Sequence, residues 1–434
     1  MWRIIPSIVA CVLLAAHFLR TGQWGLVAVC LLAPLLLISR QRWIALAMQC
    51  WLLFAAWLWL YTAIKIAMWR VYLDLPWLRM FLILSAIALF SIVAATLFST
   101  DKLLRSRYNK SPDTAGVSVG ACILSAALLS FVQIKLTAPM ILLERFFAGW
   151  AWLEIALLAV YAGWLGGKLA QPRSSALWRR RLWLLFSVVF FVQLILGLSG
   201  LERFLQTGEL HLPIPALIFG GPIYRGERFF MLFLFLSTIL LVGPAWCSYL
   251  CYIGVWDQIA AQKLKRPQIL PRWRSWIPAA NLALIVLVAV ILRYLGLGGA
   301  IAIGLAAIFG LVGLSLMWFW SRRTGIMTHC TAYCPIGFLA TRFGKLNPFR
   351  IHILDACNEC KACQFACRYN ALQIQHIQQR KPGWSCTLCG DCLPYCHTNQ
   401  IEYRFLGLRA QHARYLFLSL VVALHTTFLG LARI

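Results

Sequence analysis

The clearest chemistry in this 434-residue sequence is carried by eight cysteines in its C-terminal part. Cys357, Cys360, Cys363 and Cys367 have the spacing C-x2-C-x2-C-x3-C, and Cys386, Cys389, Cys392 and Cys396 repeat it. Thiolates are soft ligands that suit iron–sulfur clusters. The two-residue gaps let the backbone curl around one cubane and offer it three thiolates, while the fourth cysteine reaches the other cluster. The expected ligand sets are therefore Cys357, Cys360, Cys363 and Cys396 for one [4Fe–4S] cluster, and Cys386, Cys389, Cys392 and Cys367 for a second. Zinc takes four ligands and has no use for two interleaved sets, and disulfides are disfavoured in a reducing cytoplasm. Arg368 and His397 stand where the bacterial pattern has proline. That changes the turn and the shielding of a cluster without removing a ligand.

Four more cysteines form two copies of a second motif, C-x3-C-[YP]-I-G. Cys247 and Cys251 belong to the first copy, Cys330 and Cys334 to the second. Each copy follows an apolar run, and an i, i+4 spacing puts both sulfurs on one face of a helical turn. Two convergent pairs would make a four-thiolate site for a metal or a further cluster. The alternatives are redox-active dithiols or a copper site, and packing as small hydrophobes, which the duplication argues against. Cys11, Cys30, Cys50 and Cys122 lie singly in apolar runs and read as core packing.

The elements that must position these residues are set by composition. The chain is 62% hydrophobic and 12% charged, far from a soluble globular protein, and a bilayer accepts apolar side chains all round a helix. Eleven apolar runs predict spanning helices over about 4–18, 24–38, 43–61, 80–98, 116–131, 147–165, 182–198, 229–242, 277–292, 299–320 and 413–431. Glu154 falls inside one of them, where an acid is a functional candidate unless it is hydrogen-bonded near an end. The net charge of +27 fits Lys and Arg flanking spans on the cytoplasmic side, with no motif for nucleic acid. With the N-terminus inside, the positive-inside rule places Arg40, Arg42, Lys102, Arg105, Arg107, Lys110, Lys168, Arg179 to Arg181, Lys263, Lys265, Arg266, Arg272, Arg274 and the whole stretch from Arg322 to Arg409 in the cytoplasm. The proline- and glycine-rich stretch 200–228, which includes Leu212, reads as interfacial or re-entrant. The segment 348–405 is too small for a convincing core, so metal clusters must staple it.

The expected architecture is an α-helical polytopic membrane protein of about eleven transmembrane helices, with an inserted cytoplasmic α+β ferredoxin-like 2[4Fe–4S] domain. Its parts are an N-terminal bundle of unknown role (1–167), a bundle with both C-x3-C motifs (182–346), the ferredoxin-type domain (347–406) and a final helix (413–434). The motifs at 247–254 and 330–337, followed by the eight ferredoxin cysteines, resemble the membrane polyferredoxins of periplasmic nitrate reductase and nitrous oxide reductase systems, the NapH/NosR type. The resemblance covers roughly residues 182–405. Tyr252 stands where that family has proline, and the periplasmic flavin domain of its larger members has no counterpart. The resemblance implies electron transfer in the bacterial inner membrane, between a quinol or cytoplasmic donor and a membrane or periplasmic redox protein. A competing reading is a copper or metal reductase or assembly factor that uses the C-x3-C pairs. No catalytic constellation is evident, and the question of an enzyme stays open.

Overall fold

Apolar runs in lipid become helices because a helix pairs its backbone N–H and C=O groups within one segment. The computed structural model describes residues 4–39, 41–99, 112–136, 138–204, 213–269, 271 and 276–431, and is mostly helical. Arg40, Lys102, Arg105, Arg107, Lys110, Leu212, Arg272 and Arg274 lie outside the described residues. The chain divides into two compact units, Met1–Gly167 with Val422–Leu431, and a second one formed by Lys168–Val421.

The first unit holds α1 (Ile5–Arg20), α2 (Trp24–Leu32), α3 (Arg42–Tyr72), α4 (Leu78–Thr96), α5 (Pro112–Lys135), α6 (Leu142–Phe146) and most of α7 (Ala151–Ala170). The second holds α8 (Pro172–Leu198), α9 (Leu217–Arg225), α10 (Phe230–Val242), α11 (Gly254–Ala261), α12 (Ile277–Tyr294), α13 (Gly299–Ser315), α14 (Thr328–Ala332), α15 (Pro335–Phe343), β1 (Arg350–Ile353), α16 (Ala362–Ala366), α17 (Ile374–Gln378), β2 (Ile401–Arg404) and the start of α18 (Ala410–Leu431). The helix of α10 is prolonged by the π turn Trp246–Leu250, and that of α13 by the π turn Leu316–Ser321.

Nine helices among the described residues are long and apolar enough to cross a membrane. In the one at Gly299–Thr324 only 11% of the apolar window is buried within the protein. Ile308 and Leu311 point outward from it, so it needs lipid around it. The sequence predicts about eleven crossings, and the difference lies in α1 and α2. At about 1.5 Å per residue the 16 residues of α1 reach about 24 Å, short of a core about 30 Å thick. Pro34 has no N–H, and the 9-residue α2 runs on as a 3-10 stretch, Ala33–Ser39. The two pack together, turning at Gly22 with φ +72°. Within the described part of the proline- and glycine-rich stretch lies the 9-residue α9, which contains Pro222, ends on left-handed Gly226 and packs on α12.

Lone cysteines divide by position. Cys11 and Cys30 are buried in two apolar clusters of the first unit and Cys122 packs against one of them, but Cys50 is exposed. Glu154 is hydrogen-bonded at a helix end: it lies in the first turn of α7 and accepts the Leu143 N–H at 2.6 Å. Beside it, Glu144 accepts the N–H groups of Gly149 (2.8 Å) and Ala151 (2.9 Å), satisfying donors that a helix start leaves open. Glu144→Ala is expected to destabilise the detergent-solubilised protein by about 1–3 kcal/mol, read as a lowered thermal midpoint; an unchanged midpoint would deny this capping role.

Candidate iron–sulfur site

The cysteine-rich segment is framed by β1 and β2, which pair antiparallel from Arg350 opposite Arg404 to Ile353 opposite Ile401. Between them the backbone repeats itself with the period of the sequence. Glu359 and Lys361, which flank Cys360, are left-handed, and so are Leu388 and Gly390 around Cys389. Asn370 and Asn399, each three residues beyond the fourth cysteine of its motif, are left-handed as well. Non-glycine residues take this conformation at a steric cost. Here it curls each loop so that thiols and backbone N–H groups turn inward, a nest suited to an anionic centre. The N–H of Ala371 lies 3.2 Å from Cys367 Sγ, and the N–H of Gln400 lies 3.2 Å from Cys396 Sγ.

The sulfurs group across the two motifs. Cys363 interacts electrostatically with Cys396, Cys357 and Cys360. Cys392 interacts chiefly with Cys389, Cys386 and Cys367. Cys367, Cys386, Cys389 and Cys392 line one cavity of about 340 Å³, counting its opening to solvent, with Ile351, Tyr369, Ala371, Leu372 and Pro382 among its walls. Burial pushes the thiols of Cys363 and Cys386 up to about 11 and those of Cys367 and Cys389 up to about 12. Such sulfurs become thiolates at neutral pH only beside a strong positive charge, which iron supplies. Among the described residues no three His, Cys, Asp or Glu side chains converge tightly enough for a single metal ion. A cubane binds each thiolate to a different iron, so its four sulfurs stand further apart than the ligands of one ion.

One ion pair ties this segment to α8. Arg179, 1% exposed, donates from Nε to Asp391 Oδ1 at 2.8 Å and from Nη2 to Asp391 Oδ2 at 2.5 Å. Two further donors reach the Ser248 carbonyl (2.9 Å) and Gln258 Oε1 (2.8 Å), and the guanidinium lies over the rings of Trp183 and Tyr249. Asp391 sits between Cys389 and Cys392, and Ser248 lies just after Cys247. Tyrosines reinforce the link in both directions: the Tyr249 hydroxyl donates to the Cys389 carbonyl (3.0 Å), and the Tyr369 hydroxyl to the Cys247 carbonyl (3.1 Å).

The two C-x3-C motifs share one local build. Cys251 precedes α11, and Cys334 is the N-cap of α15. The backbone N–H groups of Ile253 and Gly254 favour the charged form of Cys251, and those of Ile336 and Gly337 the charged form of Cys334. A methyl group on Gly337 would lie 2.7 Å from the Cys330 carbonyl, and one on Gly254 would lie 2.5 Å from the Trp183 ring. The glycine of the motif is thus required by close approach. The proline position of the motif is filled by Tyr252, which stacks on Phe190 at 3.9 Å between centroids, and by Pro335 at the first helical position of α15.

Asp257 of α11, wholly buried, accepts the Ser321 hydroxyl (2.6 Å) and the Cys330 N–H (2.9 Å), so the helix after the first motif holds the turn of the second. Burial raises this carboxyl to about 6 against those hydrogen bonds. Sequence reasoning passed over Asp257, Asp391 and Tyr369 and took Arg179 for a surface charge. A signal was present for one of them, since Asp257 is the single acid between Glu227 and Asp355.

A family model described as a 4Fe-4S binding domain matches residues 227–271. That span contains Cys247 and Cys251 rather than the eight cysteines of the ferredoxin spacing. No curated protein and no solved structure matches the chain.

Asp391→Asn keeps the shape of the side chain but leaves the Arg179 charge buried without its partner. It is expected to cost about 3–5 kcal/mol, and the double variant Arg179→Met with Asp391→Leu much less. Thermal unfolding in detergent distinguishes them, and equal losses would contradict the coupling. Gly337→Ala should cost about 1–3 kcal/mol in the same assay, whereas Gly304→Ala, with open space around it, should leave the midpoint unchanged or slightly higher.

Proposed function

We propose that this chain is a membrane electron carrier, a polyferredoxin of the NapH/NosR type, that binds two [4Fe–4S] clusters in a ferredoxin-like domain. Cys357, Cys360, Cys363 and Cys396 hold one, and Cys386, Cys389, Cys392 and Cys367 hold the other. The observation that carries this reading is the cavity whose four sulfurs come from both motifs, the crossed set that two interleaved clusters require. The family match to an iron–sulfur domain and the nine long apolar helices support it. When bound, such clusters supply one-electron transfer.

The protein's own residues divide the work. Cys360 is exposed, which leaves the first set open to a soluble cytoplasmic carrier. The second set is fixed by Arg179 to the helix that carries the membrane end. A quinol or a cytoplasmic donor supplies electrons and a membrane or periplasmic redox protein receives them. The excess of basic residues supports a cytoplasmic position for the cysteine-rich segment, in a bacterial inner membrane. Treating α1 and α2 as a non-crossing pair removes two spans together, so this orientation is unaffected.

Anaerobically purified protein should show the visible absorption of iron–sulfur centres, bleached by dithionite, and Cys389→Ser should lose about four irons per chain relative to wild type. In membrane vesicles the bleaching should also follow a quinol or a reduced soluble ferredoxin. Iron content indifferent to Cys389→Ser would refute the assignment, as would clusters that neither donor reduces. Protease should cut within residues 345–409 in inside-out vesicles and spare them in right-side-out ones; the reverse pattern would invert the orientation.

A further inference from the structure

The C-x3-C pairs lie outside the ferredoxin spacing, yet the structure treats their sulfurs in the same way. Cys330 interacts electrostatically with Cys251, Cys334 and Cys247, and Cys247 with Cys251 and Cys334, so all four form one group. The π turn that carries Cys247 packs against α15, which Cys334 caps, and α11 packs against α14, which carries Cys330. Asp257 fixes the second of these contacts through the Cys330 N–H. As in the ferredoxin sets, no three of these sulfurs form a group that could hold a single metal ion. As the N–H groups of Ala371 and Gln400 bond Cys367 and Cys396, the N–H groups of the residues after Cys251 and Cys334 favour their charged forms.

We propose that Cys247, Cys251, Cys330 and Cys334 ligate a third [4Fe–4S] cluster, separated from the second ferredoxin set by Tyr369. Four soft donors in one buried group, aided by N–H donors, are the ligand set that a cubane takes. A lone zinc or copper ion would need the sulfurs drawn together. Tyr369 lies between the two groups: it shares an apolar cluster with Trp183, Val255 and Met327, against which Cys330 packs from one set and Cys367 and Cys389 from the other. Its hydroxyl bonds the Cys247 carbonyl. The site therefore adjoins the proposed second cluster, and the inference rests on the iron–sulfur reading of the chain.

The test is iron and acid-labile sulfide per chain in the anaerobically purified, full-length protein, with ⁵⁷Fe Mössbauer quantification and copper and zinc measured on the same sample. Wild type should hold about twelve irons, and Cys251→Ser or Cys334→Ser about eight. The loss should reverse in neither variant on reconstitution with iron and sulfide. Variants that fail to fold are recognised by loss of all iron, and the decision then passes to wild type, whose Cys247, Cys251, Cys330 and Cys334 should resist alkylation until iron is stripped. Eight irons in wild type with these four cysteines alkylated, paired as disulfides or bound to copper would overturn the third cluster and leave the first two standing. Iron unaffected by Cys389→Ser would instead sink the reading beneath it.

Discussion

The structure around the cysteines depends on one buried ion pair. Arg179 and Asp391 are removed from water, and a charge in that position is tolerable only if it is paired and hydrogen-bonded. Arg179 uses four of its five donors on both Asp391 oxygens, a carbonyl of the first C-x3-C turn and the Gln258 amide oxygen, and lies over two aromatic faces. The hydrogen-bond partners come from three other stretches of chain. The need to neutralise one guanidinium therefore fixes α8, the turn at Cys247, α11 and the loop between Cys389 and Cys392 against one another. The pair contributes position more than net stability, since buried ion pairs often do no better than apolar side chains of the same size.

Around this point the chain uses duplication twice. In the cysteine-rich segment the left-handed residues recur at the same offset from each motif, Glu359 with Leu388, Lys361 with Gly390 and Asn370 with Asn399. The N–H to sulfur contacts at Ala371 and Gln400 recur in step. At the C-x3-C turns the recurring parts are a sulfur at a helix N-terminus, two following N–H donors and a glycine against a carbonyl or ring. In both cases the repeat is of backbone geometry, because the N–H groups that turn toward sulfur belong to the backbone. Side chains are free to vary, which is why Tyr252 and Pro335 occupy equivalent positions.

The first unit obeys a different constraint. Among its described residues, Glu144 and Glu154 take the N–H groups at the start of α6 and α7, and the Ser125 and Thr426 hydroxyls pair at 2.7 Å. His17 lies edge-on to Trp59, and Tyr161 meets His425 Nε2 at 3.3 Å. These contacts answer the cost of a polar group in an apolar surround.

Hydropathy and cysteine spacing alone determined that the chain is a multi-helix membrane protein with cysteine-rich loops, because the thickness of a bilayer is read directly as run lengths. They also located most helices, though not the shortness of α1 and α2, where one turn and one proline outweigh an apolar composition. What only the tertiary structure decided is which distant residues meet: Arg179 with Asp391, Asp257 with Cys330, Tyr369 between two groups of sulfurs. Those pairings join positions up to 212 residues apart. They arise from packing and from the demand that buried charges and hydroxyls find partners, a condition that no local window of sequence expresses.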